Sequence, residues 1–317
     1  MKVSVSLITY NHEEFVAKAL DSVLMQKTDF DYEIVIGEDC STDNTRNIII
    51  DYQKRYPDKL RLLLNEKNLG AYNNIVQVLD ACKGKYVAFL EGDDYWTSPD
   101  KLQKQVDYLE SHPECVLCFH NVEIIYKDGS DATQNYCPAD QKEISTVEDL
   151  LIKNFIPTCS KMYRNGLLAD HPHWFSVISM GDWPSSILLA LHGNIGYINE
   201  NMGAYIIHSS GAWSNMRQDR KAWYKADIQL YEILYHHLEP KFKDIIYAQT
   251  YNRYMKLLDE YEMDVDINNA KACLIELITK YHKINKNMIK RVVKLYFPRL
   301  FSAAKTMLGS NHHNGAS

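Results

Sequence analysis

The 317 residues, 46% of them hydrophobic, suffice for one large α/β domain plus an extension and exclude a wholly disordered chain. The net charge of −6 argues against a nucleic-acid binder, whose surface has to neutralise phosphates. Seven cysteines, an odd number, argue against a disulfide framework and fit a reducing cytosol, and no apolar stretch approaches the roughly 18 residues of a membrane span.

Met1–Tyr10 reads as a strand rather than a signal peptide. From there short β-branched runs alternate with amphipathic segments: Val3–Thr9 then Glu14–Met25, Glu33–Glu38 then Asn44–Arg55, Arg61–Asn65 then Ala71–Cys82, Tyr86–Glu91 then Lys101–Ser111. Repeated βα units predict an α/β fold, a Rossmann-like and mostly parallel central sheet with helices on both faces. Ligands of such sheets bind beyond the carboxyl ends of the strands. Thr9-Tyr10-Asn11, Glu38-Asp39, Asn65 to Gly70 and Glu91-Gly92-Asp93-Asp94 all fall there. Cys115 and Cys118, in the apolar run Cys115–Phe119, read as core thiols, because residues three apart on a strand face opposite sides. Between about 121 and 215 the periodicity weakens into short strands and loops, with a hairpin turn at Lys127-Asp128-Gly129 and a helix opening near Trp183. Beyond 220 the chain turns helical, over Arg220–His237, Lys241–Tyr261, Asn268–Tyr281 and Asn287–Met307, and Gly309–Ser317 reads as a disordered tail. The organisation predicted is a donor-binding half over 1–120, an acceptor-side half over 121–215, a helical extension over 220–308 and the tail over 309–317.

Carboxylates at a strand end, as in Glu91-Gly92-Asp93-Asp94, are hard oxygen ligands that suit Mg²⁺ or Mn²⁺ held jointly with a diphosphate. A helix-capping acidic loop before Pro99-Asp100 is the plainer alternative. Glu38 to Thr45 also follows a strand and opens a helix; Asp39 is placed to accept from a uracil N–H or a ribose hydroxyl, whereas Asp43 and Thr45 read as turn-shaping caps. Lys67-Asn68-Leu69-Gly70 opens the next helix, where backbone N–H groups meet a phosphate or a base. Neither GxGxxG nor GxxxxGK[ST] occurs, so dinucleotide and P-loop readings lose their main support.

Ile8-Thr9-Tyr10-Asn11, Gly37 to Thr45, Asn68-Leu69-Gly70 and Ala88 to Asp94, in that order, resemble family 2 of the inverting glycosyltransferases with a GT-A fold, of the bacterial surface-polysaccharide type. A looser resemblance runs through Gly181-Asp182-Trp183 and Tyr205-Ile206-Ile207-His208 to about residue 215. The resemblance implies that Thr9, Tyr10, Asn11 and Asp39 hold the nucleoside and that Asn68 and Gly70 complete its pocket. It matches Glu91-Gly92-Asp93 to the family's DxD motif, Glu standing for the usual first Asp, with Asp93 the principal metal ligand. It also implies that Asp182 is the general base, that His208 ligates the metal or diphosphate, and that Ser209, Ser210 and Trp213 close over the donor. An Arg or Lys usual beyond the Asn-x-Gly is replaced here by Tyr72-Asn73-Asn74, and the acid usual before the base by Gly181.

The activity so implied moves a sugar from a nucleotide-diphospho-sugar, foremost a UDP-sugar, to a saccharide or polyprenyl-diphosphate-linked saccharide acceptor in the cytoplasm. The competing readings are a sugar-nucleotide-binding scaffold and a sugar-nucleotide nucleotidyltransferase, whose glycine-rich basic start is absent after Val3–Thr9. Asp182 as a simple helix cap and His208 as a structural histidine are the corresponding plain readings. From Leu277 onward eight Lys/Arg and no Asp/Glu interleave with apolar residues, so this stretch either lies on an anionic membrane surface or packs on the body, with Pro298 ending or kinking its helix.

Overall fold

The computed structural model describes residues 1–127, 134–168, 172, 174–175, 178, 181–209, 211, 219–281 and 286–298. The chain divides into two compact units, Met1–Ser214 and Asn215–Ser317.

The first unit is built on a mixed sheet whose main path runs β3-β2-β1-β4-β9-β6-β10-β5. Its strands are β1 (Val3–Thr9), β2 (Tyr32–Glu38), β3 (Leu60–Leu64), β4 (Tyr86–Glu91), β5 (Tyr95–Trp96), β6 (Cys115–Tyr126), β7 (Gln134–Asn135), β8 (Ile144–Ser145), β9 (Met162–Arg164) and β10 (Asn194–Ile207). The first four are mutually parallel, as the βα repetition predicts, and β10 runs parallel to β6. The short β9 is antiparallel to both β4 and β6 and joins the two halves of the sheet. Helices α1 (Val16–Leu24), α2 (Thr45–Arg55), α3 (Ala71–Ala81), α4 (Lys101–Ser111), α5 (Val147–Ile152) and α6 (Asp182–Ala190) flank it.

Continuous apolar runs make these strands because both sheet faces are covered. Val3, Val5, Leu7, Ile34, Ile36, Ala88 and Leu90 share one core with Val16, Ala19, Leu20 and Val23 of α1. On Gly37 of β2 a Cβ would lie 2.3 Å from Asn74 Oδ1 and 2.5 Å from Val78 Cγ2, so its bare backbone is what lets α3 approach. Cys115 and Cys118 are buried free thiols in β6, as expected of core residues.

The region from 121 onward holds the expected short strands in β7, β8 and β9, but also two long ones. β6 spans 12 residues and β10 spans 14. Their pairing slips between Ile198 and Asn201 and again between Asn201 and Gly203, and such bulges erase the alternation by which a strand is read. The turn expected at Lys127-Asp128-Gly129 falls, beyond Lys127, outside the described residues.

The second unit holds α7 (Arg220–His237), α8 (Lys243–Met263), α9 (Ile267–Tyr281) and α10 (Lys286–Tyr296). Ile228, Tyr254, Leu258, Leu274, Leu277, Met288 and Leu295 form its core. Within α10, Arg291 pairs with Glu262 at 3.1 Å and with Asp259 at 2.5 Å, and Lys294 pairs with Glu262. Met288 and Leu295 of this helix are buried and two of its cations are engaged, features of the packed-helix reading, while Ile289 and Tyr296 stay exposed. The expected continuation to Met307 lies outside the described residues past Pro298, as does the tail Gly309–Ser317. Among the described residues no helix is long and apolar enough to cross a membrane.

Candidate active site

The loops after β1 and β2 interlock. Asn11 enters the left-handed region at φ 55°, and its Oδ1 accepts from Thr42 N at 2.8 Å. Ser41 Oγ accepts from Asn11 N, Thr45 Oγ1 from His12 N, and Asp43 Oδ2 from Glu13 N. Asp43 and Thr45 thus shape the turn across two loops, while Tyr10 is exposed at the strand end. Asp39 is only 2% exposed. Its Oδ1 accepts from Leu69 N at 2.8 Å and Asn65 Nδ2 at 3.1 Å, and its Oδ2 accepts from Gly70 N at 3.0 Å. Asn68 adds a bond from Nδ2 to Asp39 O at 3.1 Å. The Asp39 carboxylate therefore folds the Asn65–Gly70 loop, and Gly70, at φ 80°, supplies the backbone turn into α3. Where the resemblance leads one to expect a cation, Asn73 Nδ2 donates to Leu69 O and Asn74 Nδ2 to Gly37 O, so that stretch contributes structure instead.

The acidic loop leaves β4 beside the end of β1, with Gly92 N donating to Ile8 O at 2.9 Å. A Cβ on Gly92 would meet Thr9 Oγ1 at 2.6 Å and His12 Nδ1 at 2.9 Å. Asp94 turns away from the opening: Ile206 N donates to its Oδ1 at 2.8 Å, tying the loop to β10. Asp93 points the other way, its Oδ2 lying 3.0 Å from His208 Nε2 and 3.7 Å from His12 Nε2. Burial works to raise the Asp93 carboxyl, yet the His208 hydrogen bond and the two imidazoles hold it below the usual range. Glu91 is pushed up to about 8 by burial and then by the charge of Asp93, and its Oε2 is buried without a hydrogen-bond partner among the described residues.

Among the described residues no three His, Cys, Asp or Glu side chains form a ready metal cage. The donors present are a carboxylate oxygen flanked by two imidazole nitrogens, together with the unpartnered Glu91 oxygen. That mixed set fits a divalent ion such as Mn²⁺ whose other positions are filled by a diphosphate, which is the usual arrangement when few protein ligands are supplied.

Asp182 opens α6, and Gly181 occupies the cap position with no side-chain cap bond, so the simple-cap reading of Asp182 does not describe this helix. Its Oδ2 faces Asn154 Nδ2 and Thr158 Oγ1, each at 3.4 Å. Lys161, buried behind the same turn, donates from Nζ to Ser185 Oγ at 3.1 Å and to Asp182 O at 3.4 Å. Four residues here escape a reading of the sequence: His12, Asn154, Thr158 and Lys161. His12 carries a local signal, following Asn11 directly, and Lys161 a weaker one, a lysine set against the apolar Met162-Tyr163. Of the three residues expected to close over the donor, Ser209 is exposed, and Ser210 and Trp213 lie outside the described residues.

The family described as Glycosyl transferase family 2 matches residues 4–171. An uncharacterized protein of Mycobacterium tuberculosis is 38% identical over 226 residues, covering 70% of this chain and 64% of that protein, so the match spans less than two thirds of the relative. TarS of Staphylococcus aureus, a poly(ribitol-phosphate) β-N-acetylglucosaminyltransferase, is 28% identical over 263 residues, 80% of this chain and 44% of TarS. The crystal structure of TarS 1–349 with UDP-GlcNAc aligns with a TM-score of 0.67 at 21% identity, covering 95% of this chain and 88% of the other. The mannosyltransferase PcManGT of Pyrobaculum calidifontis, in complex with GDP-Man and Mn²⁺, aligns with a TM-score of 0.60 at 18% identity, covering 96% and 83%. These alignments are matters of fold, and the sheet they share is the GT-A arrangement. With the family match spanning the loops from Thr9 to Asp94, this chain belongs to glycosyl transferase family 2.

Proposed function

We propose that this chain is a metal-dependent inverting glycosyltransferase that moves a sugar from a UDP-sugar to a saccharide acceptor. The observation that carries the reading is the meeting of Asp93 with His208 at the carboxyl end of the sheet, 3.0 Å apart and flanked by His12. Thr9, Tyr10, Asn11, Asp39, Asn68 and Gly70 form the nucleoside side of the site, and Glu91 and Gly92 the sugar and diphosphate side. Asp93 and His208 are the residues that would hold Mn²⁺ or Mg²⁺, which when bound supplies positive charge to the leaving diphosphate.

Asp182 acts as general base. Asn154 and Thr158 meet one of its carboxylate oxygens, which leaves Oδ1, among the described residues, for the acceptor. As the acceptor oxygen bonds to the anomeric carbon, the bond from that carbon to the diphosphate oxygen breaks with its electron pair, and the acceptor proton passes to Asp182. Attack opposite the leaving group inverts the anomeric centre, and no covalent intermediate is needed. The acceptor class proposed is a saccharide of a bacterial surface polymer, free or carried on polyprenyl diphosphate; TarS, named for transfer to poly(ribitol-phosphate), supports the polymer part of that reading alone.

Calorimetry with UDP, GDP, dTDP and CMP, each with and without Mn²⁺, on wild type and Asp93→Ala tests the reading. Metal-dependent binding of UDP that the variant loses is the expected result. Binding of none of the four would remove the donor from the proposal and favour a scaffold.

A further inference from the structure

Lys161 is only 1% exposed, an unusual place for a side chain that ends in an amine. Its Nζ donates to Ser185 Oγ at 3.1 Å, to Ser186 Oγ at 3.4 Å and to Asp182 O at 3.4 Å, and it sits 4.3 Å above the Phe89 ring. The same Asp182 carbonyl accepts from Ser185 Oγ at 2.7 Å and Ser186 Oγ at 2.9 Å, so the lysine joins a clamp around the first turn of α6. Its own carbonyl accepts from Phe89 N at 3.1 Å, two residues before Glu91 on β4. One residue thus ties the acid strand to the helix that presents Asp182.

Helix stability does not account for a cation here. The first turn of a helix carries partial positive charge, so an ammonium beside it is unfavourable, and burying one is costly without a counter-charge. Burial pulls the Lys161 ammonium down, and the charge of Asp182 is the main influence that acts against it. A neutral side chain would fill the same volume without that cost, so the feature that calls for lysine is Asp182, whose own carbonyl accepts from the same Nζ.

We propose that Lys161 is a positioning residue for the transfer reaction: its side chain, clamped with Ser185 and Ser186 around the Asp182 carbonyl, fixes the first turn of α6 and with it the place of the Asp182 carboxylate. This rests on the reading of Asp182 as the base. It predicts that Lys161 acts through Asp182 and therefore has no effect once Asp182 is gone.

The test is a double-mutant cycle of wild type, Lys161→Met, Asp182→Asn and the double variant, each full-length. Two quantities are read: the Tm, and UDP release from UDP-GlcNAc with Mn²⁺ and water as acceptor. Lys161→Met is expected to lower the Tm by several degrees in the wild-type background and to leave it unchanged or raised beside Asp182→Asn. UDP·Mn²⁺ affinity should stay within about threefold, while kcat falls about 100-fold at constant donor KM and does not fall further in the double variant. Should Lys161→Met fail to fold, Lys161→Gln, which keeps a donor without the charge, goes through the same cycle. Equal Tm losses in both backgrounds, an independent kcat loss in each, or a kcat near wild type would overturn the proposal while leaving the base intact. A wild-type kcat in Asp182→Asn would instead overturn the base reading itself and this proposal with it.

Discussion

His208 Nε2 lies 3.0 Å from Asp93 Oδ2, although 115 residues separate them in the chain. The pair is brought together by the neighbour of Asp93. Asp94 accepts from Ile206 N, which pins the acidic loop to β10 two residues before His208. One acid of the cluster is spent on architecture so that the next can face the opening. His208 is buried against Phe15, with ring centroids 4.7 Å apart, so its imidazole is held in place rather than free to swing.

If His208 and Asp93 share an ion, His208→Gln should weaken UDP·Mn²⁺ binding by tenfold or more and leave metal-free UDP binding unaltered, as loss of a metal ligand requires. His12→Gln should cost less, its Nε2 lying 3.7 Å from Asp93 Oδ2. Titration calorimetry with and without Mn²⁺ checks both. Equal losses with and without metal would make His208 a packing residue.

Gly92→Ala places a Cβ 2.6 Å from Thr9 Oγ1 and 2.8 Å from Thr9 Cβ. Thr9 is buried at the end of β1 and has little room to yield. The expected cost is about 1–3 kcal/mol of stability, typical of overpacking, with donor affinity falling alongside as the acidic loop lifts from β1. Urea denaturation measures the first and calorimetry the second; a variant unchanged in both would mean the loop accommodates the methyl group.

Much of this was legible because it is local. Val3–Thr9, Tyr86–Glu91 and Arg220–His237 are continuous or cleanly periodic runs, and the candidate residues from Thr9 to Asp94 sit in turns directly after such strands. Of β10 only the end, Gly203–Ile207, was legible, because its bulges around Asn201 put the earlier residues out of step with a two-residue period. The surroundings of Asp182 were hidden for a different reason. Lys161 reaches it only because the three-residue β9 threads antiparallel between β4 and β6, a pairing with no local signature. In the helical unit the apolar period carried past Pro298, but α10 ends at Tyr296, before a residue that cannot donate to a helix.

Asp39→Ala should destabilise the first unit by about 3 kcal/mol, because three donors aimed at one buried carboxylate lose their acceptor together. Asp39→Asn keeps the shape and should cost less. If the loop is also the nucleoside pocket, UDP affinity falls in the order of the stability losses. Retained affinity in a destabilised Asp39→Ala would separate the two roles and take Asp39 out of the pocket.

Lys101 offers a pH-dependent test away from the metal ligands. It is fully buried at the start of α4 with its Nζ 3.7 Å from the Trp96 ring centre and no hydrogen-bond partner among the described residues. Burial pulls it down from 10.5 to about 7. Between those two values the unfolded chain holds a proton that the folded chain does not, so this group makes stability rise with pH. At and below pH 7 the folded state bears the whole penalty, up to roughly 5 kcal/mol at about 1.4 kcal/mol per pH unit. Lys101→Met removes the penalty and keeps the apolar stem against Trp96. Its gain over wild type should therefore be greatest near pH 6.5, smaller at pH 8, and nearly gone by about pH 10. Denaturant titrations at those three values read the trend directly. A gain that does not vary with pH would mean packing alone is responsible, and a loss at every pH would mean the ammonium is stabilised where it lies.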